Sequence, residues 1–376
     1  MRVCSLSSVQ NCIELGQPLP FSVRDASQQL LLARGQVIAD TQQLEDLFHR
    51  GAMVEVEELA GVLQPVRRSA RARRPDQLPA AWDHCSHDMR QVLSAAPDQL
   101  AGAVDRVTDQ LLALIQESPE VALAQIVRQP GGGGHYGINH SIHAATACQA
   151  AAHFLGWNSD DQRRAFQAAL TMNIAMADLQ ARLATQVSPL TARQREAIHD
   201  HPVRGVQMLS EAGITDAAWL DAVRLHHELP DGSGYPAGTS ESSELAEMLR
   251  FADVYTALLS DRADRPAISA RQAGRELHQM AATSPLAGAL IKSFGIFPPG
   301  SVVRLASGEM GIVVRNGEKA YHPRVAILTT ATGEPRRAPL VRDTSRDSHA
   351  VASLLSAHAL PMHVSEQTIA GLIAGG

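Results

Sequence analysis

The eleven residues from His226 to Pro236 constrain the fold of this chain more than any other segment, because they join a helix end to two tight turns. They read His-His-Glu-Leu-Pro-Asp-Gly-Ser-Gly-Tyr-Pro. Trp219, Ala222, Val223 and His226 have the spacing of one helix face, and that face is apolar. Burying neutral imidazoles without partners is unfavourable. The pattern therefore predicts a metal pocket beneath the turns, and hydrogen bonds from the histidines to carbonyl groups are the alternative.

Three further residues are candidate ligands because of where they fall in the pattern. Asp253 borders an apolar stripe of a predicted helix, and a buried carboxylate needs a cation. That cation is either a metal ion or a guanidinium, from Arg250 or Arg262. His201 precedes a proline, where we expect a break between two helices, and His140 lies near the start of an alanine-rich helix. Taken alone, neither histidine indicates a ligand.

The length and composition indicate a globular chain of two or three domains. The sequence has 376 residues, of which 45% are hydrophobic and 19% charged. A helical period dominates the middle of the chain, and a period of two follows Pro298. The predicted organisation is a mixed N-terminal module over 1–63, an Arg- and Pro-rich linker over 64–83, a helical domain over 84–300, a short β extension over 301–345 and a tail over 346–376.

Local signals predict several element boundaries. In the N-terminal module, 21–24 and 29–32 are strand candidates, and Thr41 is a candidate helix cap. In the helical domain, the pattern predicts a helix over 162–176. Thr191 opens another helix with a capping box, and this helix should reach His199. Further on, Pro202 starts the next helix. After Ser348 we expect a short alanine-rich helix and a loose end.

Charge and targeting signals limit the partners and the compartment. The net charge of −6 favours neither a nucleic-acid polymer nor an anionic membrane. No signal peptide is visible, and no apolar run approaches the roughly 20 residues of a membrane span. The four cysteines are spaced as free thiols of a reducing compartment, at positions Cys4, Cys12, Cys85 and Cys148. A cytoplasmic location is the expectation.

The segment from His226 to Pro236 resembles the signature of the HD-GYP family, helical metal-dependent phosphodiesterases that act on cyclic di-GMP in bacterial signalling. The resemblance covers about 135 to 300, and 298–305 is similar to the usual ending of the family. It implies a mainly α fold, an HD-type helical bundle with a small mixed N-terminal module and a short β C-terminal extension. It further implies a set of metal ligands: His140, His201, His226, His227 and Asp253.

One motif departs from the family. Where the family has His-Asp-Ile-Gly-Lys, this chain has Met172-Asn173-Ile174-Ala175-Met176. In the family the aspartate bridges two metal ions, and a neutral amide such as Asn173 is a poor bridge. A thioether such as Met172 does not suit a hard, oxygen-rich site. The pair His199-Asp200 lies on a later helix and is not expected to replace the lost pair. We therefore expect at most one divalent ion, of the Fe, Mn or Zn class.

The residues that would hold nucleotide are better retained. The resemblance implies that Arg262 and Arg265 contact the phosphates of a cyclic dinucleotide, as guanidinium groups do well. Tyr235 is the third candidate for ligand binding. Thr256 stands where the family often has an acidic residue, a change with no assigned effect.

Three hypotheses about function follow. The leading one is a degenerate HD-GYP protein that binds cyclic di-GMP, a related nucleotide, or protein partners through its Gly-Tyr-Pro loop, with little or no hydrolysis. The alternative is an active phosphodiesterase with a one-metal or rearranged site. The third is an interaction module that binds no nucleotide. Asn173 and Met172 favour the first and third, whereas Arg262 and Arg265 favour the first over the third.

Overall fold

The computed structural model describes residues 3–6, 13, 19, 21–26, 29–33, 35–55, 73–129 and 135–376. The chain divides into two compact units, 1–73 and 74–376. Most of the predicted linker, residues 64–72, lies outside the described part of the chain, as do Cys12 and the side chain of Cys4. Cys85 and Cys148 are buried and form no disulfide bond, in agreement with the prediction. Among the described residues, no helix combines the length and hydropathy that crossing a bilayer requires.

The first unit contains a small antiparallel sheet and one helix. Its elements are β1 (Val3–Ser5), β2 (Val23–Arg24), β3 (Leu30–Leu32), α1 (Thr41–His49) and β4 (Met53–Glu55), and the strands lie in the order β1-β4-β2-β3. The helix packs its buried Leu44 and Leu47 into the core of this unit. The predicted cap is wrong by one residue, because the carboxylate of Asp40, not the hydroxyl of Thr41, accepts the hydrogen bond from Gln43 N.

The second unit begins with a helical domain that contains the candidate site. Its helices are α2 (Leu78–Leu93), α3 (Pro97–Glu117), α4 (Pro119–Arg128), α5 (Tyr136–Phe154), α6 (Ser159–Thr171), α7 (Ala177–Ala184), α8 (Ala192–Glu211), α9 (Ala217–Leu225), α10 (Glu244–Leu258), α11 (Ala270–Met280) and α12 (Pro285–Phe294). The alanine-rich α5 is buried nearly all round, and α6, α10 and α12 pack against it. Its small side chains allow this close approach, so α5 forms the centre of the domain.

Two predicted helix boundaries are wrong, and both lie at the candidate site. The helix expected over 162–176 ends at Thr171, and a short 3₁₀ turn follows over Ile174–Met176. Conversely, α8 continues through Pro202 as a single helix, where the sequence predicted a break. A proline inside a helix usually breaks it, because it lacks an N–H and crowds the carbonyl four residues earlier. Here His201 supplies a replacement donor for that carbonyl.

A five-stranded antiparallel sheet and a final helix complete the second unit. The sheet contains β5 (Val302–Leu305), β6 (Met310–Arg315), β7 (Arg324–Thr329), β8 (Pro335–Asp343) and β9 (Val351–Leu355), in the order β8-β7-β6-β5-β9. The expectation of an alanine-rich helix and a loose end after Ser348 is wrong. The chain there forms β9, which pairs with β5, and α13 (Glu366–Gly375), which buries Ile369 and Ile373 in the main core.

The predicted fold class is confirmed. Helices dominate the chain, and small antiparallel sheets occupy its N- and C-terminal parts. The domain boundaries that the sequence suggested remain a proposal. In the structure α2 starts at Leu78, inside the stretch that was expected to be linker.

Candidate metal centre and the surface beside it

His201 is oriented by a local consequence of the proline that follows it. Pro202 has no N–H to donate to the carbonyl of Ile198, four residues earlier. The His201 ring fills that role, because its Nδ1 lies 2.5 Å from Ile198 O. An Nδ1–H donor leaves Nε2 with a free lone pair, which is the form of histidine that binds metal. The helix therefore continues, and the imidazole points inward with its tautomer set.

His226 is oriented in the same way at the end of α9. Its Nδ1 lies 2.7 Å from Val223 O, so its Nε2 also carries the free lone pair. The two Nε2 atoms of His201 and His226 are 3.3 Å apart. Two lone pairs at this distance repel unless a cation or a proton lies between them. Nitrogens that are each about 2.0–2.1 Å from one tetrahedral ion stand about 3.3–3.4 Å apart, so the pair fits a metal ion.

A third imidazole completes the cluster. One ligand atom each from His201, His226 and His227 lies within 4.8 Å of the others. Burial, and secondarily the charge of a neighbouring imidazole, lowers the pKa of His201 and of His226 to about 4 and that of His227 to about 3. At neutral pH the three rings are therefore uncharged, and the neutral ring is the form of imidazole that binds a metal ion. Three converging neutral imidazoles suit one divalent ion with an open position.

The other two predicted ligands, His140 and Asp253, bind each other. His140 Nε2 is 2.8 Å from Asp253 Oδ1, and His140 is almost fully buried. The same oxygen accepts a hydrogen bond from Asn173 Nδ2 at 3.2 Å. Burial alone would raise the pKa of Asp253, but the hydrogen bond from His140 outweighs it and holds that pKa well below its usual range. Neither Arg250 nor Arg262, the alternatives considered for Asp253, forms an ion pair with it among the described residues.

The segment that replaces the family's metal-binding pair separates into a polar and an apolar side. Asn173 is 1% exposed and faces Asp253, and its Oδ1 has no hydrogen-bond partner within the described chain. Met172 is fully buried and belongs to the main hydrophobic core. Asn173 therefore offers an amide donor where a two-metal site needs a bridging carboxylate. The residues present fit one ion at the three imidazoles and do not fit a second ion bridged through Asn173.

The Gly-Tyr-Pro loop covers the histidine cluster. The ring of Tyr235 stacks on His227 at 4.5 Å between centroids, and His199 stacks at 5.6 Å from the same ring. Glu228 is 1% exposed, and its carboxylate accepts hydrogen bonds from the backbone N–H groups of Ala237 and Thr239. These two bonds fix the returning half of the loop, so Tyr235 is held over the imidazoles.

Gly234 lets the loop approach its own helix end. A Cβ at this position would lie 2.5 Å from Glu228 Cα and 2.4 Å from Leu229 N, which is closer than a real side chain can come. Only glycine fits at this position, because any side chain would collide with the backbone of Glu228 and Leu229. The segment from His226 to Pro236 can therefore fold back closely on itself.

The two predicted phosphate-binding arginines lie on a loop after α10, beside His140. The guanidinium of Arg262 stands over the ring of Tyr136 at 5.9 Å, and that ring stacks on His140 at 5.7 Å. Arg265 Nη2 donates to the carbonyl of Ala257 at 2.6 Å, a bond that uses part of its guanidinium. Arg262 is therefore linked to Asp253 through the rings of Tyr136 and His140. Arg265 already uses one of its nitrogens in a hydrogen bond to the backbone.

Three residues of this region were not predicted from the sequence: Tyr136, His199 and Glu228. Tyr136 lies four residues before His140, and the i, i+4 spacing on one helix could have indicated it. Glu228 is a charged residue inside an apolar context, and its burial could have been suspected for the same reason as that of Asp253. His199 was considered only as half of a His-Asp pair, and no signal in the sequence relates it to Tyr235.

The chain is similar to known proteins over most of its length. A family model described as HD domain matches residues 97–286. A cyclic di-GMP phosphodiesterase of Pseudomonas aeruginosa is 30% identical over 258 residues, which are 66% of this chain. The matched segment spans only 62% of the length of that relative. A solved HDG"Y"P protein of Bdellovibrio bacteriovorus aligns with 77% of this chain and 98% of its own, at 15% identity and a TM-score of 0.49.

Proposed function

Since the chain belongs to the HD domain family and is of the HD-GYP type, we propose that it is a degenerate member that binds cyclic di-GMP or a related cyclic dinucleotide with little or no hydrolysis. The proposal extends to protein partners that contact the Gly-Tyr-Pro loop. The observation that carries it is the hydrogen bond from the Asn173 amide to Asp253. A two-metal hydrolase needs a carboxylate at this position to bridge its ions, and this chain has a donor there instead.

In this proposal His201, His226 and His227 hold a single divalent ion. Such an ion supplies Lewis acidity toward a phosphoryl oxygen when it is bound. The protein's own contributions are distinct: the carbonyls of Ile198 and Val223 keep two of the imidazoles in the metal-binding tautomer, and the ring of Tyr235 shields the cluster from water. His140 and Asp253 are hydrogen-bonded to each other and are not counted as ligands of this ion in the proposal.

On the nucleotide side, Arg262 and Arg265 are proposed to bind phosphate. Arg262 supports this best, because its guanidinium lies over the ring of Tyr136, next to His140, and has only one ion-pair partner among the described residues, Asp264 at 3.4 Å. Guanidinium groups bind phosphate oxygens through paired hydrogen bonds, so loss of Arg262 should weaken binding more than loss of a solvated arginine.

The alternative function is hydrolysis with a one-metal or rearranged site. The complete three-histidine cluster favours it, because three imidazole nitrogens suffice to hold a catalytic ion in other enzymes. A single ion cannot clamp both the attacking and the leaving oxygen, so we rank this function second.

The test compares the natural chain with a restored chain carrying Met172→His, Asn173→Asp and Met176→Lys. We expect the natural protein to hold at most about one ion per chain and to bind cyclic di-GMP in calorimetry without measurable turnover. The restored chain should gain metal first and activity second. Two tightly held ions in the natural protein, or rapid turnover with Mn²⁺ or Fe²⁺, would establish the alternative. Absence of any cyclic di-GMP binding by the natural protein would favour the interaction module.

A further inference from the structure

A polar cleft opens between α2 and the start of α5, next to the candidate site. Its volume is about 270 Å³. Trp82, Asp83 and Arg90 of α2 line one wall, and Gln125 of α4 and His143 of α5 line the other. The wall formed by α2 lies before residue 97, where the HD domain match begins. The cleft is therefore not built by the matched family domain alone.

Two polar side chains of this cleft have no hydrogen-bond partner among the described residues. Gln125 is 4% exposed, and its side-chain amide reaches the open cleft rather than a protein group. His143 is 5% exposed, and its Nδ1 is likewise without a partner among the described residues. Buried amides and imidazoles are nearly always hydrogen-bonded, because leaving them unpaired costs stability. Two such groups in one cleft indicate a ligand that supplies the missing donors and acceptors.

The chemistry of the walls indicates what that ligand offers. Burial, and secondarily the neighbouring His140, lowers the pKa of His143 to about 3, so this ring is neutral with one donor and one acceptor. Gln125 adds two donors and one acceptor. Asp83 and Arg90 are seven residues apart on α2 and reach the same cleft without forming an ion pair with each other. Their charges cancel, so a phosphate is not favoured here.

A guanine base matches this set of groups. Its Watson–Crick edge carries two adjacent N–H donors that a carboxylate such as Asp83 accepts, and its O6 and N7 are acceptors suited to a guanidinium such as Arg90. Trp82, which is 6% exposed, adds only a ring edge to the wall, so the polar groups carry the recognition. Adenine lacks the paired donors, so Asp83 would discriminate against it.

The cleft adjoins a second cavity beside His140. Gln129, Asn139 and His143 line both the cleft and a second cavity of about 330 Å³. This second cavity is also lined by His140 and Ser260. Gln129 spans the two, because its amide donates to Ser260 Oγ at 2.7 Å. A base in the cleft can therefore be joined by its sugar to a phosphate near His140.

We propose that the cleft between α2 and α5 is the subsite for one guanine base of the cyclic dinucleotide. This inference rests on the proposed function, since it names the part of the chain that recognises the base of the same ligand. Gln125 and His143 form its floor, and Asp83 and Arg90 provide the recognition of guanine at its rim.

The experiment measures binding to the full chain by calorimetry, with cyclic di-GMP, cyclic di-AMP and GMP as probes. The variants are Gln125→Leu and Asp83→Asn, and Asp88→Asn is the matched control, because Asp88 lies on the same helix outside the cleft. We expect the natural chain to prefer cyclic di-GMP. Each cleft variant should lose about tenfold in affinity or more, the effect of one hydrogen bond to a charged or buried partner. Asp88→Asn should bind as the natural chain does.

A second measurement separates ligand binding from folding. Gln125→Leu keeps the volume of the side chain and removes an amide that has no partner among the described residues, so its melting temperature without ligand should equal or exceed that of the natural chain. A clearly lower melting temperature would show that the amide is structural and would overturn the inference.

The binding results also separate this inference from the proposed function. If both cleft variants bind cyclic di-GMP as tightly as the natural chain, the inference is overturned and the proposed function stands. If GMP binds in an Asp83-dependent way but cyclic di-GMP does not, the cleft is supported and the proposed function fails. If the natural chain binds none of the three probes, both fail.

Discussion

Asn173→Asp tests most directly how the buried carboxylate of Asp253 is neutralised. Asn173 is 1% exposed, and its Nδ2 lies 3.2 Å from Asp253 Oδ1. An aspartate places a second carboxylate at that distance. Two like charges so close repel by about 4–5 kcal/mol at an effective dielectric constant of about 20. Keeping the new carboxyl protonated at pH 7 costs a similar amount, about 4 kcal/mol relative to its ordinary pKa of about 3.9. Either response predicts a loss of about 4 kcal/mol in the free energy of unfolding.

The assay is thermal unfolding followed by circular dichroism, with EDTA and then with excess Mn²⁺. For a unit of this size, a loss of about 4 kcal/mol lowers the melting temperature by roughly 6 °C. Manganese should recover most of that loss, because a cation between the two carboxylates removes their repulsion. The matched control is Asn173→Ala, which loses the hydrogen bond to Asp253 without adding charge. It should lose about 1–3 kcal/mol, and Mn²⁺ should not restore it.

Two results would refute this reasoning. If Asn173→Asp melts in EDTA at the temperature of the natural chain, the carboxylate of Asp253 is not held as the hydrogen bonds from His140 and Asn173 indicate. If Asn173→Asp and Asn173→Ala lose equal stability and neither responds to Mn²⁺, the loss comes from the hydrogen bond alone. The second ion is then excluded for a reason other than charge.

The remaining predictions concern the imidazoles and the loop above them. His226→Ala should abolish the rise in melting temperature that Zn²⁺ gives the natural chain, and an equal rise in the variant would mean that the ion binds elsewhere. Burial lowers the pKa of His201 and of His226 to about 4 and that of His227 to about 3. As the pH falls, these histidines therefore become protonated in the unfolded chain before they do so in the folded chain. Stability in EDTA should be fully present above about pH 6.5 and fall as the pH drops toward 4, and a flat profile in urea unfolding would contradict this. Glu228→Ala should cost about 2–3 kcal/mol and expose 229–243 to limited proteolysis, whereas an unchanged cleavage pattern would show that the two hydrogen bonds do not hold the loop.

The local pattern was sufficient to identify the helical fold and the paired histidines. The apolar face of α9 is visible in the order of its residues, and Trp219 and Val223 are buried on that face as expected. The run from His226 to Pro236 is a local unit, in which a glycine permits a close turn within a few residues. Such features depend on neighbours in the sequence, so they can be predicted without a structure.

The tertiary structure decided which residues of the candidate site meet. His140 meets Asp253 across 113 positions of sequence, and Asn173 meets the same carboxylate across 80. No period or motif encodes such a contact, because it depends on how α5, α6 and α10 pack. The same limit explains the error at Pro202, where the local rule predicts a break. The buried ring of His201 supplies the missing donor, and the helix continues. The sequence by itself therefore determined which residue types are present and on which helix faces they lie. Packing decided which of them meet, since hydrogen bonds between distant residues form only once the core has brought their helices together.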